Sequence, residues 1–272
     1  MQKSWSRFGS CSSIAAALCA VVFTPQVRAQ YASSVISYTP GTGGAASLNQ
    51  PNSALGAPST FTNDPNFPSA VDPYDPPYLA SQVVSIGAGG SLTLQLGSAV
   101  HNDSSHAFGL DFIVYGNAGF IMTDFNAGTT DGTLFGADAT STRVSVSADN
   151  VTYFTLDPNL APIFDSYFPT DGAGVFGKPV NPALGNAASF NGMTMDEIRA
   201  QYGGAAGGTG YDLSWARDGS GNAVALDSIN YIRLDVVSGK AEIDGIVGVP
   251  EPSTWALLGL GTLAVFAQKR RA

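Results

Sequence analysis

The stretch Gln82-Val83-Val84-Ser85-Ile86-Gly87-Ala88-Gly89-Gly90-Ser91-Leu92-Thr93-Leu94-Gln95-Leu96 decides the fold class. Two short apolar arms flank a glycine-rich connection, which reads as a hairpin with a four-residue loop. In the second arm Leu92, Leu94 and Leu96 fall on one face and Ser91, Thr93 and Gln95 on the other, the period of a strand. The same pattern continues outward. Phe108 to Tyr115 is an apolar strand interrupted by Asp111. Arg143 to Ser147 and Val151 to Leu156 form a second hairpin across Ala148-Asp149-Asn150. Tyr231 to Val237 alternates cleanly, with Ile232, Leu234 and Val236 on the inner face, and Ala241 to Val247 follows. With 32 glycines, 16 prolines and almost no helical periodicity in 272 residues, the chain reads as all-β.

One helix is expected. Thr194 followed three residues later by Glu197 makes a capping box, Asp196 complements the helix dipole, and Gly203-Gly204 ends the segment Met195 to Tyr202. Residues 39–80 are rich in Pro, Asn, Ser and Gly, with turn chemistry at Pro51-Asn52, Asp72-Pro73 and Asp75-Pro76-Pro77. They are expected to form a long surface excursion, ordered where it packs on the sheet.

The two ends read as addresses. Lys3 and Arg7 precede an apolar core from Ile14 to Phe23, and Val27-Arg28-Ala29 places suitable residues before a cleavage bond between Ala29 and Gln30. Residues 1–29 are therefore read as a signal peptide. Both cysteines, Cys11 and Cys19, lie inside it, so the mature chain has no thiol or disulfide. Six of the 12 Lys and Arg residues and one of the 21 acids fall in the two end segments. The domain between them keeps 6 basic and 20 acidic residues, a net charge of −14. That balance argues against nucleic acid as a partner, since its binding depends on cationic neutralisation of phosphates.

At the C-terminus, Pro250-Glu251-Pro252 precedes a 13-residue run from Trp255 to Ala267 and the basic cluster Lys269-Arg270-Arg271. The run is shorter than the ~20 residues of an ordinary membrane span. The three features in this order resemble the PEP-CTERM sorting signal of Gram-negative bacteria. The resemblance implies export, transient retention in the inner membrane, and tail removal by an exosortase-type enzyme. An uncut C-terminal anchor is the competing reading. The domain plan is thus a signal peptide over 1–29, a β-sandwich over 30–248 and a sorting signal over 249–272.

A second resemblance covers residues 50–247. It rests on the segments Asn52 to Pro58, Ser85 to Leu94, Asp111 to Asn117, Val144 to Asp149, Gly210 to Ala216, Tyr231 to Arg233 and Glu242 to Asp244, in that order. Together these resemble bacterial secreted proteins with a jelly-roll, galactose-binding-like domain. The resemblance implies a β-sandwich with an extracellular role, binding glycans or other surface ligands or serving as a structural module, and it implies no reaction.

Candidate sites are sparse. Asp111, Asn117, Glu242 and Asp244 are candidate oxygen ligands for a structural Ca²⁺, although no Asp-x-Asp-x-Asp loop occurs and Glu242 and Asp244 share a strand face open to a water-facing reading. His101-Asn102-Asp103-Ser104-Ser105-His106 is read as a solvated hairpin loop rather than a triad. The two histidines lack an evident third ligand for Zn²⁺. Tyr74, Tyr78, Tyr153, Tyr167, Phe168, Tyr211 and Trp215 are rings that could stack on sugars, the plainer reading being core or cover. Trp215 is placed on a strand from Asp212 to Ala216. The expected function is that of a non-enzymatic envelope or matrix protein associated with exopolysaccharide or surface glycan. A secreted polysaccharide hydrolase and a purely structural surface-layer component are the alternatives.

Overall fold

A computed structural model describes residues 30–66, 68–136, 141–165 and 168–251. The strands in chain order are β1 (Gln30–Thr39), β2 (Val84–Gly87), β3 (Ser91–His101), β4 (Phe112–Gly116), β5 (Gly119–Asp124) and β6 (Thr129–Phe135). They continue with β7 (Ser141–Ser147), β8 (Phe154–Leu156), β9 (Thr209–Tyr211), β10 (Ala216–Arg217), β11 (Ser228–Ser238) and β12 (Lys240–Gly248). The helix α1 (Met195–Tyr202) carries the anticipated capping box, with Thr194 and Glu197 bonded reciprocally and Gly203 left-handed at φ 59°.

Every pair among these named strands is antiparallel. One sheet runs β10-β8-β7-β11-β3-β1, and the other β1-β12-β4-β9 with β2 on the same edge of β12 as β1. β1 belongs to both, since Gln30 and Tyr31 pair with Gly248 and Val247 while Ala32 to Thr39 pair with β3. Leu92, Leu94, Val144, Val146, Ile232 and Leu234 from the first sheet meet Val84, Ile86, Phe112, Val114, Ile243 and Ile246 from the second in one buried cluster. The result is an all-β sandwich. Each of these side chains contributes roughly 1.5–3 kcal/mol by leaving water, so the facing layers supply its main driving force.

The expected hairpin from Gln82 to Leu96 is not formed. β2 pairs with β12 and β3 pairs with β1 and β11, so the glycine-rich connection carries the chain from one sheet to the other. Packing explains why glycine is needed there. A Cβ on Gly87 would sit 2.3 Å from the Thr42 carbonyl oxygen, and one on Gly90 would sit 2.6 Å from that of Thr39. The connection is therefore pressed against residues 39–44 rather than projecting as a loop. By contrast, β7 and β8 do form the expected hairpin, with Ser145 opposite Thr155 and Asp149 accepting from the Val151 and Thr152 amides.

Residues 39–83 are an excursion held down at intervals, with Ala54, Thr62 and Val71 fully buried. β5 and β6 form a separate two-stranded ribbon. Beside it α1 packs Ile198 and Tyr202 into a second apolar cluster with Phe120, Phe168, Val180 and Phe190. Among the described residues no helix is long and apolar enough to cross a membrane. The proposed signal peptide, the run Trp255 to Ala267 and the basic cluster Lys269-Arg270-Arg271 lie outside the described residues.

Candidate functional site: the C-terminal motif and the acids on β4 and β12

β12 lies in the second sheet, flanked by β4 on one edge and by β2 and β1 on the other. It carries Glu242 and Asp244 and leads directly into Val249-Pro250-Glu251. A register shift between Ile243 and Gly245 turns the chain locally, the geometry of a bulge. Both acids are buried, at 4% and 2% exposure, which corrects the water-facing reading.

Their partners come from distant segments. Asp244 accepts from the Ser59 amide at 2.7 Å and the Ser59 hydroxyl at 2.8 Å. Burial pushes its carboxyl up to about 7, and the two Ser59 bonds only partly offset that. Glu242 accepts from Asn117 Nδ2 at 2.7 Å and pairs with Lys240 Nζ at 3.2 Å. Asp165, in the left-handed region at φ 72°, accepts from the amides of Asn117 at 2.9 Å and Glu242 at 2.5 Å. Desolvation holds the Asp165 carboxyl well above its ordinary range, with those amides pulling the other way. Gly116 is required beside it, because a Cβ there would lie 1.7 Å from Asp165 Oδ1.

Of the four candidate calcium ligands, the structure brings together Asn117 and Glu242. Asp111 and Asn117 bracket β4, roughly 20 Å apart along an extended strand. Asp244 is bonded to Ser59 instead. The oxygens of Asp165 and Glu242 are taken by amide and ammonium donors, and Asn117 Oδ1 is the one buried side-chain oxygen of this group with no partner. A Ca²⁺ shell needs six to eight oxygens. This set does not supply them.

Asp111 organises a second centre. Its Oδ1 accepts from His106 Nδ1 at 2.8 Å and the Asp103 amide at 3.1 Å, and its Oδ2 from the Leu213 amide at 2.9 Å. Burial raises its carboxyl and these donors lower it in part. His101 is exposed at the end of β3, but His106 is 4% exposed, so the solvated-loop reading fails for that residue. A turn with Phe108 at φ 61° and Gly109 at φ 70° folds the imidazole back onto Asp111. Sequence reasoning missed this centre. The five-residue spacing of His106 and Asp111 was the available signal, and the turn that closes it was not legible.

The C-terminal motif is seated against this centre. The Val249 amide donates to the Asp111 carbonyl at 2.8 Å, and Val249 packs with Ile113, Tyr115, Ala206 and Val247. Pro250 lies over Gly177, where a Cβ would approach its ring to 3.0 Å. Glu251 Oε2 stands 3.6 Å from His106 Nε2. Gln30, the residue after the expected signal cleavage, pairs with Gly248, so the beginning and end of the domain adjoin.

The aromatic candidates divide. Phe168 and Tyr211 are buried, Tyr211 stacking on Phe112 at 5.1 Å. Tyr74 donates to the Met193 carbonyl, Tyr153 to Asn150, and the exposed Tyr78 to Asp64. Trp215 is half-buried against the core, on a 3₁₀ turn capped by Asp212 rather than on a strand, because the Asp212 carboxylate captures the Ser214 amide. Tyr167 lies outside the described residues.

No match to a curated protein is found. A family model described as a PEP-CTERM protein-sorting motif matches residues 248–271. The match takes in the end of β12, the seated Val249-Pro250-Glu251 segment and the basic C-terminus, and it supports export of the chain and its processing by an exosortase.

Proposed function

We propose that this chain is a non-enzymatic protein of the cell envelope or extracellular matrix, a jelly-roll-type sandwich of the galactose-binding-like kind. In this reading it is exported through cleavage between Ala29 and Gln30, retained briefly at the inner membrane by the segment after Pro252, and released by exosortase-type processing. The observation that carries it is the sorting motif at residues 248–271, continuous with the last strand of the domain. The seven ordered segments that resemble secreted glycan-binding domains support association with exopolysaccharide or surface glycan. The net charge of −14 over residues 30–248 suits a soluble surface protein.

The test has two parts. Purified protein is applied to a panel of envelope polysaccharides, with binding read by calorimetry and chain cleavage by released reducing ends. The proposal expects saturable binding without cleavage. Cleavage would replace it with the hydrolase reading, and neither binding nor cleavage would leave a structural surface component.

A further inference from the structure

We propose that Asp103, His106 and Glu251 form a binding site for a divalent transition-metal ion of the Zn²⁺ class, which fastens the sorting motif to the domain. One ligand atom from each residue lies within 4.8 Å of the others. His106 Nε2 is buried and has no hydrogen-bond partner, and it faces the Glu251 carboxylate at 3.6 Å. A buried, unpartnered imidazole nitrogen beside the Glu251 carboxylate, in a cluster that Asp103 completes, points to a cation.

The other side of the ring specifies the state of that nitrogen. Asp111 accepts from Nδ1 at 2.8 Å and is itself fixed by the Asp103 and Leu213 amides. With the proton held at Nδ1, Nε2 presents its lone pair outward. This is the carboxylate–histidine arrangement that orients metal-bound imidazoles. One imidazole and two carboxylates suit Zn²⁺ better than Ca²⁺ or Mg²⁺, which prefer shells of oxygen. Two carboxylates also balance the charge of a divalent ion.

The ligands require little rearrangement. Tetrahedral Zn²⁺ with bonds of ~2.0–2.1 Å brings neighbouring donor atoms to roughly 3.4 Å. The Glu251 side chain is 44% exposed and can close the remaining distance, while His106 stays fixed. A fourth position would be open to water.

The metal site stands on this geometry alone, whereas its consequence rests on the sorting reading above. Glu251 is the acid of the Pro-Glu-Pro motif, so an ion held there would pin the motif beside Gly177 and compete with its capture by a processing enzyme.

The test uses the full chain in detergent with Cys11→Ser and Cys19→Ser, so that no thiol competes. After removal of metals it is titrated with Zn²⁺ against a chelating dye, and with Co²⁺ to read the visible spectrum of a four-coordinate site. One equivalent of tight binding is expected, weakened at least tenfold by Glu251→Gln and at least a hundredfold by His106→Gln. His101→Gln should bind as the parent does. Glu251 is partly exposed, so its variant remains informative if His106→Gln fails to fold. Absence of one-equivalent binding, or Glu251→Gln binding unchanged, overturns the site. Failure of the sorting reading would appear separately, as an uncut tail in cells with the zinc titration intact.

Discussion

Asp244 gives the account a sharp pH signature. Its carboxyl is 2% exposed, touches Ser59, and is raised from 3.8 to about 7 by desolvation. An acid raised on folding binds more protons in the folded than in the unfolded chain between those values. The Asp244 contribution to stability is therefore fully present below the unfolded value of 3.8 and is lost as pH rises from there through 7. Linkage with these two values makes the folded state about 3 kcal/mol less stable at pH 8 than at pH 4.5 from this residue alone. Asp244→Asn removes the titration. The amide oxygen still accepts from the Ser59 amide, and the amide NH₂ donates to a rotated Ser59 hydroxyl. Urea unfolding of both proteins at pH 4.5, 6 and 8 would give the difference directly. The variant should gain on the parent by about 3 kcal/mol across that range, whatever constant offset the substitution adds. Parallel stability curves would refute the buried-carboxyl argument.

Other outcomes follow from the same contacts. Asp111→Ala leaves the Asp103 and Leu213 amides and His106 Nδ1 without their acceptor, a loss on the order of 4 kcal/mol in urea unfolding. Gly116→Ala drives a methyl into the Asp165 carboxylate and should cost about 3 kcal/mol in the same assay, whereas Gly43→Ala, with open space beside it, should cost mainly its left-handed backbone strain of about 1 kcal/mol. Thr194→Ala removes the cap of α1 and should cost about 1 kcal/mol. The chain beginning at Gln30 contains no cysteine, so its melting temperature should be the same with and without reductant.

Much of the sandwich could be read from alternation, and the exceptions have physical causes. The latter half of β11 alternates strictly, with Ile232, Leu234 and Val236 on the buried face, and α1 announces itself through Thr194, Glu197 and Gly203. β1 was not anticipated, because bulges near Ser33 and Ile36 break its period of two. The sequence alone pairs β2 with β3, because a glycine-rich connection looks the same whether it turns in solvent or crosses between sheets. Close approach of the Thr39 and Thr42 carbonyls separates the two cases, and that contact is not local in sequence.

The acids illustrate the same limit. Glu242 and Asp244 alternate as water-facing residues would, and only the arrival of Asp165 and Ser59 from 77 and 185 residues away shows them to be buried. His106 is hidden from the sequence for a different reason. Its polar neighbours suggested solvent, while the turn at Phe108 and Gly109 returns it to the interior. The C-terminal motif was legible in full, since its signal is compositional and does not depend on the fold.

The most direct test of the central claim is intact mass of the protein recovered from an exosortase-carrying host and from a matched strain lacking the exosortase. A chain beginning at Gln30 is expected in both strains, with the segment after Pro250-Glu251-Pro252 removed only where the exosortase is present. A C-terminus still ending at Ala272 in both strains would contradict it.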